Sequence, residues 1–459
     1  MVKDMTKGKP VPIIIRFCVP VLLGSLFQQV YNITDAIIVG RFIGMDEMGA
    51  IFSTGAINFL VIGFVLGLTA GFSIPIAQAF GAGDVSEMRK RVANAFYLCA
   101  MFAVVLTTLT MVFTRPLLKL METPTETFDH AFDYIIVLFG GITVIILYNI
   151  FAGLLRALGD SKTPLYFLII SCVLNIILDL VFIIVLEMGT MGVGFATVIA
   201  QTVSAALCAV YIRINYPVLR FKKGETAFSK ERCGKLLING VPMALQFSIT
   251  AVGSIILQRA VNMLGVVAVS AVGMSSRIQV LMMQPMEALG ITMATFCAQN
   301  LGAGKLHRIK SGIKSGLLMV SGYSVIAGLV VIFLGRYIAI AFVGSDAPNL
   351  DEALVYLNRF LLVNGSLYCV LGVLFILRNS VQGLGYSLVT VLAGVSELIA
   401  RAVIAWVFVP RFGFDAIAFA NPIAWFLADV MLIIIFVVMM KRLSKIPRRD
   451  FKEAIRKKR

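Results

Sequence analysis

The sequence contains few charged residues. Of its 459 residues, 14% are Asp, Glu, Lys or Arg, whereas 59% are hydrophobic and the mean hydropathy is +0.94. Soluble domains carry about 25% charged residues, because their surface faces water. The composition therefore excludes an ordinary soluble protein. Each membrane span needs about 20 apolar residues, so a chain built from many spans has no room for a large domain outside the membrane.

Cysteine and histidine are also scarce. The 7 cysteines are scattered, mostly within apolar runs, and none forms a CxxC pair, so we expect free thiols. The 2 histidines, His130 and His307, lie in polar connections and argue against a transition-metal centre. The chain contains no GxxxxGK[ST] loop and no nucleotide-binding domain, which excludes ATP-driven export by this chain alone. We expect neither a cofactor nor an enzyme active site.

Apolar runs of spanning length are what the sequence does contain. They predict an all-α integral membrane protein with twelve transmembrane helices, because an apolar run of this length can satisfy its own backbone hydrogen bonds in lipid by forming a helix. The predicted spans cover residues 13–39, 51–80, 92–113, 131–155, 163–186, 191–212, 236–262, 268–300, 312–342, 353–377, 386–409 and 416–440.

The formal net charge of +16 is explained by membrane topology. Most of the 40 lysines and arginines lie in alternate connections, including 213–235, residue Arg378 and the tail 441–459. Positive connections stay on the cytoplasmic side, so we expect a multi-pass protein of the plasma (inner) membrane with both termini in the cytoplasm. A nucleic-acid partner is not expected. The basic tail can contact anionic headgroups of membrane lipids.

The two halves of the chain repeat each other. Residues 77–84 (AQAFGAGD) are echoed by 298–305 (AQNLGAGK), residues 158–161 by 384–387, and Pro20 by Pro242. Six spans in each half give both halves the same orientation, which is a parallel repeat about an axis along the membrane normal. We therefore predict two six-helix lobes. The predicted boundaries are 1–212 for the N-lobe, 213–235 for a cytoplasmic connection, 236–440 for the C-lobe and 441–459 for the tail.

Polar residues within the spans of the N-lobe fall on single helix faces. In span 1 they recur at i, i+3, i+4 and i+7, in span 5 at i and i+4, and in span 6 at i and i+4. Ionisable residues inside a bilayer are costly and commonly mark function. The residues concerned are Gln28, Tyr31, Asn32 and Asp35, then Asn175 and Asp179, then Thr197 and Gln201.

This set of groups, which contains two carboxylates, an amide and a hydroxyl, can bind either of two ions. Their oxygens suit a hard cation such as Na⁺. Asp35 and Asp179 can equally share a proton, since two neighbouring acids in a low dielectric cannot both stay charged without a cation. We predict an ion-coupling site at Asp35, Asn175, Asp179 and Thr197. The structural alternative is that these groups only join helices through hydrogen bonds.

Further residues complete the predicted machinery. Candidates for contact with substrate are Gln28, Tyr31, Asn32, Asn149, Gln201 and Glu287. Pro20 removes a backbone hydrogen bond from span 1, so we predict a hinge there, coupled to occupancy of the Asp35 site. Glu397 and Arg401 are spaced i, i+4 with the acid first, which predicts a structural ion pair.

The motifs resemble those of the multidrug and toxic compound extrusion (MATE) transporters. The resemblance rests on residues 28–35 (QQVYNITD) running into 39–41 (VGR), the paired GAG turns after spans 2 and 8, and residues 155–160 (LRALGD). It implies secondary active export of organic, mainly cationic compounds, driven by entry of H⁺ or Na⁺, by a chain that functions as a monomer.

Within that family the sequence is most similar to the DinF-like branch. The resemblance places the cation site of that branch on Asp35, Asn175, Asp179 and Thr197. The NorM-like branch also uses a glutamate in span 7 and an aspartate in span 10, where this chain has Ser248 and Val373. A C-lobe carboxylate site of that kind is therefore not expected.

Two other functions are considered. A flippase for lipid-linked saccharides of the same superfamily would line a large cavity with basic residues, and Arg259, Arg277 and Arg401 lie in or near C-lobe spans. An intramembrane aspartyl protease would use Asp35 and Asp179, but such enzymes carry a GxGD motif, and neither aspartate lies in one.

Overall fold

The chain folds into helices throughout the part that the structure describes. A computed structural model describes residues 4–121, 123–343 and 350–445. Every regular element in these ranges is a helix, which confirms the all-α class. Ten helices are long and apolar enough to cross a membrane, and two bent helix pairs can each form a further span. The predicted count of twelve spans agrees with this arrangement.

Eight α-helices form the first half of the chain. A π-helical turn, Val181–Val185, follows the seventh of them. The eight are α1 (Pro10–Phe42), α2 (Met45–Ser53), α3 (Gly55–Gly81), α4 (Val85–Leu120), α5 (Thr125–Gly140), α6 (Ile142–Ala157), α7 (Lys162–Leu180) and α8 (Gly189–Asn215).

Eight more α-helices form the second half, with a π-helical turn at Ile404–Phe408. They are α9 (Lys230–Asn262), α10 (Val266–Gly302), α11 (Leu306–Val343), α12 (Leu350–Ser366), α13 (Tyr368–Gly383), α14 (Ser387–Val403), α15 (Val409–Phe412) and α16 (Phe414–Ser444).

The order of irregular features is the same in both halves. The α5–α6 pair bends by 49° and the α12–α13 pair by 50°. A π-helical turn follows α7 in the first half and α14 in the second. The paired GAG turns also match, because Gly83 and Gly304 have φ angles of +74° and +70°. Glycine adopts this left-handed conformation without strain, which explains the residue type at both turns.

The chain forms two compact units. One contains Met1–Lys7 and Val19–Ala244, and the other contains Gly8–Cys18 and Leu245–Arg459. Two of the three divisions fall within a long helix and close to a proline, Pro20 in α1 and Pro242 in α9. The lobe boundaries predicted from the sequence at 212 and 236 stay a prediction. The connection 213–235 itself belongs to the first unit.

The connection between α8 and α9 is held against α4. Glu225 pairs with Arg89 at 3.2 Å, and its Oε2 accepts the Lys222 backbone N–H at 2.8 Å. The Lys222 N–H and the Arg89 guanidinium hold the pKa of Glu225 below its ordinary value, so this acid stays charged. Tyr216 donates from its hydroxyl to Asp160 Oδ2 at 2.7 Å. Burial raises the pKa of Tyr216, which keeps it a neutral donor.

Candidate functional site

The four predicted ion-coupling residues come together within the first unit. Asp35 lies on α1, Asn175 and Asp179 on α7, and Thr197 on α8. With the Asn175 amide nitrogen facing the carboxylates, it donates to Asp35 Oδ1 and to Asp179 Oδ2 at 3.0 Å each. The amide oxygen then accepts the Thr197 backbone N–H at 3.2 Å. One asparagine therefore joins three helices.

The carboxyl groups of Asp35, which is half-buried, and Asp179, which is buried, are neighbours. They lie within hydrogen-bonding reach of each other. Asp179 is 0% exposed and Asn175 is 1% exposed. Asp179 Oδ1 has no hydrogen-bond partner among the described residues. A buried acceptor without a partner costs about 1–3 kcal/mol, or more for a charged group, so this atom favours a bound cation or proton.

Two tyrosines extend the site. The Tyr31 hydroxyl lies 3.0 Å from Thr197 Oγ1 and is also within hydrogen-bonding reach of Asp35. Tyr134, on α5, lies close enough to both aspartates to interact electrostatically. Tyr134 was not among the predicted site residues, because no other polar residue on its face of the span pointed to this site.

An apolar layer adjoins the site on one side. Ile38 and Val39 of α1, Ile183 of the π-helical turn and Val193 of α8 form a buried cluster, and Tyr134 packs against it. Each of the four lies about one turn from Asp35, Asp179 or Thr197, on the side that the charge pattern predicts to face outward. The layer separates the acids from that side and keeps their surroundings low in dielectric.

Close packing of α8 on α5 explains how the site is assembled. A Cβ added at Gly194 would lie 3.1 Å from the Tyr134 carbonyl oxygen and 3.0 Å from Val137 Cβ. Glycine at this position lets the two backbones approach, as small residues do at membrane helix interfaces. Thr197 lies one turn further along α8 and thus faces the aspartates.

Comparisons with known proteins identify the family. The family model MatE matches residues 20–181 and 242–407. The chain belongs to the MatE (MATE) family. It is 31% identical over 363 residues to the probable multidrug resistance protein YoeA of Bacillus subtilis, a match that covers 78% of this chain and 77% of that protein. The multidrug export protein MepA of Staphylococcus aureus (strain N315) is 23% identical over 83% of this chain and 84% of its own length.

A solved MATE structure shares the fold. It is the outward-facing conformation of a multidrug resistance MATE family transporter of the MOP superfamily. The likeness has a TM-score of 0.89 at 20% identity and covers 96% of this chain and 98% of that one. This chain is accordingly a multi-pass multidrug efflux transporter of the MATE family and not an enzyme, so the protease alternative is wrong. The flippase alternative is not favoured.

Several predicted substrate contacts of this MATE transporter lie apart from the acid cluster. Gln28 and Asn32 are exposed on α1. Asn149 donates to the Ile145 carbonyl of its own helix at 2.8 Å. Gln201 lies one turn beyond Thr197, and its buried Oε1 has no hydrogen-bond partner among the described residues. Glu287 lies on α10 in the second unit, half-buried. Tyr31 is the candidate whose hydroxyl lies within hydrogen-bond distance of an ion-coupling residue, Thr197.

A second buried charge cluster lies in the second unit. Glu397 pairs with Arg401 at 3.5 Å, which confirms the predicted ion pair, and with Arg378, which is the closer partner. The charge pattern predicted that Arg378 lies in a cytoplasmic connection. That placement is wrong, because Arg378 lies within α13 and is largely buried. The buried Asp429 of α16 interacts electrostatically with Arg378 and Glu397.

Proposed function

We propose that this chain exports organic, mainly cationic compounds in exchange for an inward-moving H⁺ or Na⁺ that binds at Asp35, Asn175, Asp179 and Thr197. One observation carries the proposal: two neighbouring aspartates on different helices, the half-buried Asp35 and the buried Asp179, share the Asn175 amide while Asp179 Oδ1 has no partner among the described residues. A purely structural join between helices has no need for two acids side by side, because an uncompensated pair of charges destabilises the fold.

The closeness of the two carboxyl groups favours a proton as the coupling ion. Asp35 and Asp179 lie within hydrogen-bonding reach of each other. A hydrogen bond between two carboxyl groups requires a proton on one of them, which neutralises one of two neighbouring negative charges. The Asn175 amide suits either ion, because it can present its nitrogen to a carboxylate or its oxygen to a cation.

Binding of the coupling ion changes the charge of the first unit. With a proton or Na⁺ bound, the aspartate pair loses negative charge and holds a cationic compound less well. Release of the ion toward the cytoplasm restores the charge. Reciprocal linkage then makes each ligand lower the affinity for the other, which is the requirement for exchange. Gln28 and Asn32, which are exposed on the same helix as Asp35, are proposed to contact the compound.

The proposed setting is the plasma (inner) membrane, with both termini in the cytoplasm and a monomeric chain. The alternation of basic connections supports this orientation. No cofactor is proposed, since the coupling ion is cargo. Among the described residues no group of three or more His, Cys, Asp or Glu side chains could hold a metal ion.

Proteoliposomes with separately imposed gradients test the coupling. We expect a pH gradient at equal sodium to drive uptake of a fluorescent organic cation, and a sodium gradient at equal pH to drive none. The controls are protein-free liposomes and a protonophore, which should abolish the pH-driven signal. Transport driven by the sodium gradient alone would identify Na⁺, and not H⁺, as the coupling ion. Transport that neither gradient accelerates would contradict ion exchange altogether.

Pro20 provides a test of the conformational step. The division between the two units falls at residues 18 and 19 of α1, beside this proline, and Asp35 follows about four turns later in the same helix. We expect Pro20→Ala to slow efflux several-fold while expression is retained, because a restored backbone hydrogen bond stiffens the helix. Export measured at matched expression checks this. Unchanged export with unchanged ion dependence would contradict the hinge.

A further inference from the structure

A groove with basic and apolar ends lies within the second unit. It has a volume of about 540 Å³ and runs between α11 and α16, both of which pack against α13. Its basic lining consists of Lys310, Lys314 and Lys441. Its apolar lining includes Leu318, Phe436 and Val437. All three lysines are exposed.

The spacing of these residues along their helices indicates how deep each lies in the membrane. Lys310, Lys314 and Leu318 follow one another at intervals of four residues along α11, and Val437 and Lys441 do so along α16. Since one turn rises 5.4 Å, Leu318 lies about 6 Å deeper than Lys314. On both helices the lysines occupy the end that the charge pattern places in the cytoplasm. The groove therefore has a basic mouth at the headgroup level and an apolar floor that continues into the acyl region.

The positive charge at the mouth is not neutralised by described residues. Helix α11 contains no acidic residue. The acids of α16 are Asp415 and Asp429, and the nearer of them lies 12 residues, or about 18 Å, from Lys441. None of the three lysines forms an ion pair with another residue in the ranges that the structure describes. Three uncompensated cations around one opening attract an anion.

We propose that this groove binds an anionic phospholipid of the cytoplasmic leaflet. The phosphate-bearing headgroup lies among the three lysines, and an acyl chain lies along Leu318, Phe436 and Val437. Basic pockets between transmembrane helices on the cytoplasmic side are suited to such headgroups. The side chain of Leu318 is 67% exposed and that of Val437 is 43% exposed, so the apolar half is open to a chain in the bilayer. A cationic substrate is disfavoured here by the three positive charges.

Lipid binding to the purified full-length protein tests the proposal. Native mass spectrometry in a neutral detergent measures uptake of dioleoyl-phosphatidylglycerol and dioleoyl-phosphatidylcholine, which have the same acyl chains. We expect tighter binding of the anionic lipid. The triple variant Lys310→Gln/Lys314→Gln/Lys441→Gln should lose at least about tenfold in affinity for it, since each lysine near the surface contributes substantially to attraction of anionic lipid. The corresponding triple arginine variant should keep the preference.

A matched control removes three other exposed lysines from the predicted cytoplasmic face. Lys162→Gln/Lys223→Gln/Lys230→Gln has the same change in net charge and should bind the anionic lipid like the unmodified protein. Equal losses in both triple variants would mean a general charge effect and would overturn the site. Binding of soluble glycerophosphoglycerol as tight as that of the lipid would also overturn it, because the apolar half would then contribute nothing. Neither readout depends on transport.

Discussion

Asp35→Asn and Asp179→Asn are each expected to reduce gradient-driven export of organic cations to the level of protein-free vesicles. Asparagine has nearly the same shape as aspartate, but it neither carries a negative charge nor takes up a proton. Each variant leaves one carboxylate, which can still accept a hydrogen bond from the Asn175 amide nitrogen when this nitrogen faces it. The cluster then no longer changes charge by the same cycle, and exchange loses its coupling. Transport in proteoliposomes under an imposed pH gradient measures the effect.

Loss of folding is the competing explanation for an inactive variant. It predicts a lowered melting temperature, whereas loss of coupling does not. Burial of a charged carboxylate costs free energy, so a neutral amide at position 179, which is 0% exposed, should leave the apparent melting temperature equal or raise it. Size-exclusion chromatography and thermal unfolding in detergent distinguish the two cases. An inactive variant with an intact melting transition indicates coupling. An inactive variant with a lowered transition indicates a structural role.

The control for these variants is Asp129→Asn. Asp129 is an exposed acid at the start of α5 in the same unit, outside the cluster. Its replacement changes the net charge equally and is expected to leave transport unchanged. If Asp35→Asn and Asp179→Asn both transported like the unmodified protein, the coupling site proposed here would be wrong.

The acid cluster could be predicted because it depends on local spacing. Residues four apart share a helix face whatever the surroundings, so Asn175 and Asp179 had to point the same way. Each of the three apolar helices carries one polar face. Because contact with lipid is unfavourable for polar side chains, these faces are expected to turn toward one another inside the protein. The contact between Tyr31 and Thr197 follows from the same reasoning, since Tyr31 lies one turn before Asp35.

The features that the sequence did not predict depend on contacts between helices and on breaks within them. Tyr134 reaches the aspartates because Gly194 lets α8 approach α5, and a single sequence carries no record of that approach. The bends of 49° and 50° divide two predicted spans into helix pairs. Arg378 resembled a cytoplasmic charge because a basic residue after an apolar run usually marks the membrane edge. Its burial follows from the continuation of α13 to Gly383.

Glu397→Gln is expected to destabilise the second unit strongly. The carboxylate is shared by Arg378 and Arg401, and the side chains of the three residues are 5%, 11% and 8% exposed. Removal of one partner from a buried ion pair costs about 3–5 kcal/mol, because the opposite charge stays buried without compensation. Here two guanidinium groups would be left with the single acid Asp429 nearby. We expect a clearly lowered melting temperature and reduced expression.

An exposed pair of the same unit is the matched control. Arg359 and Asp415 pair at 2.6 Å with side chains 57% and 45% exposed, so Asp415→Asn should cost at most about 1 kcal/mol. Charge balance supplies a sharper test. Adding Arg401→Met to Glu397→Gln leaves Arg378 with Asp429, one cation and one anion, and should recover a large part of the lost stability. A double variant less stable than Glu397→Gln alone would show that packing, and not unpaired charge, determines the cost.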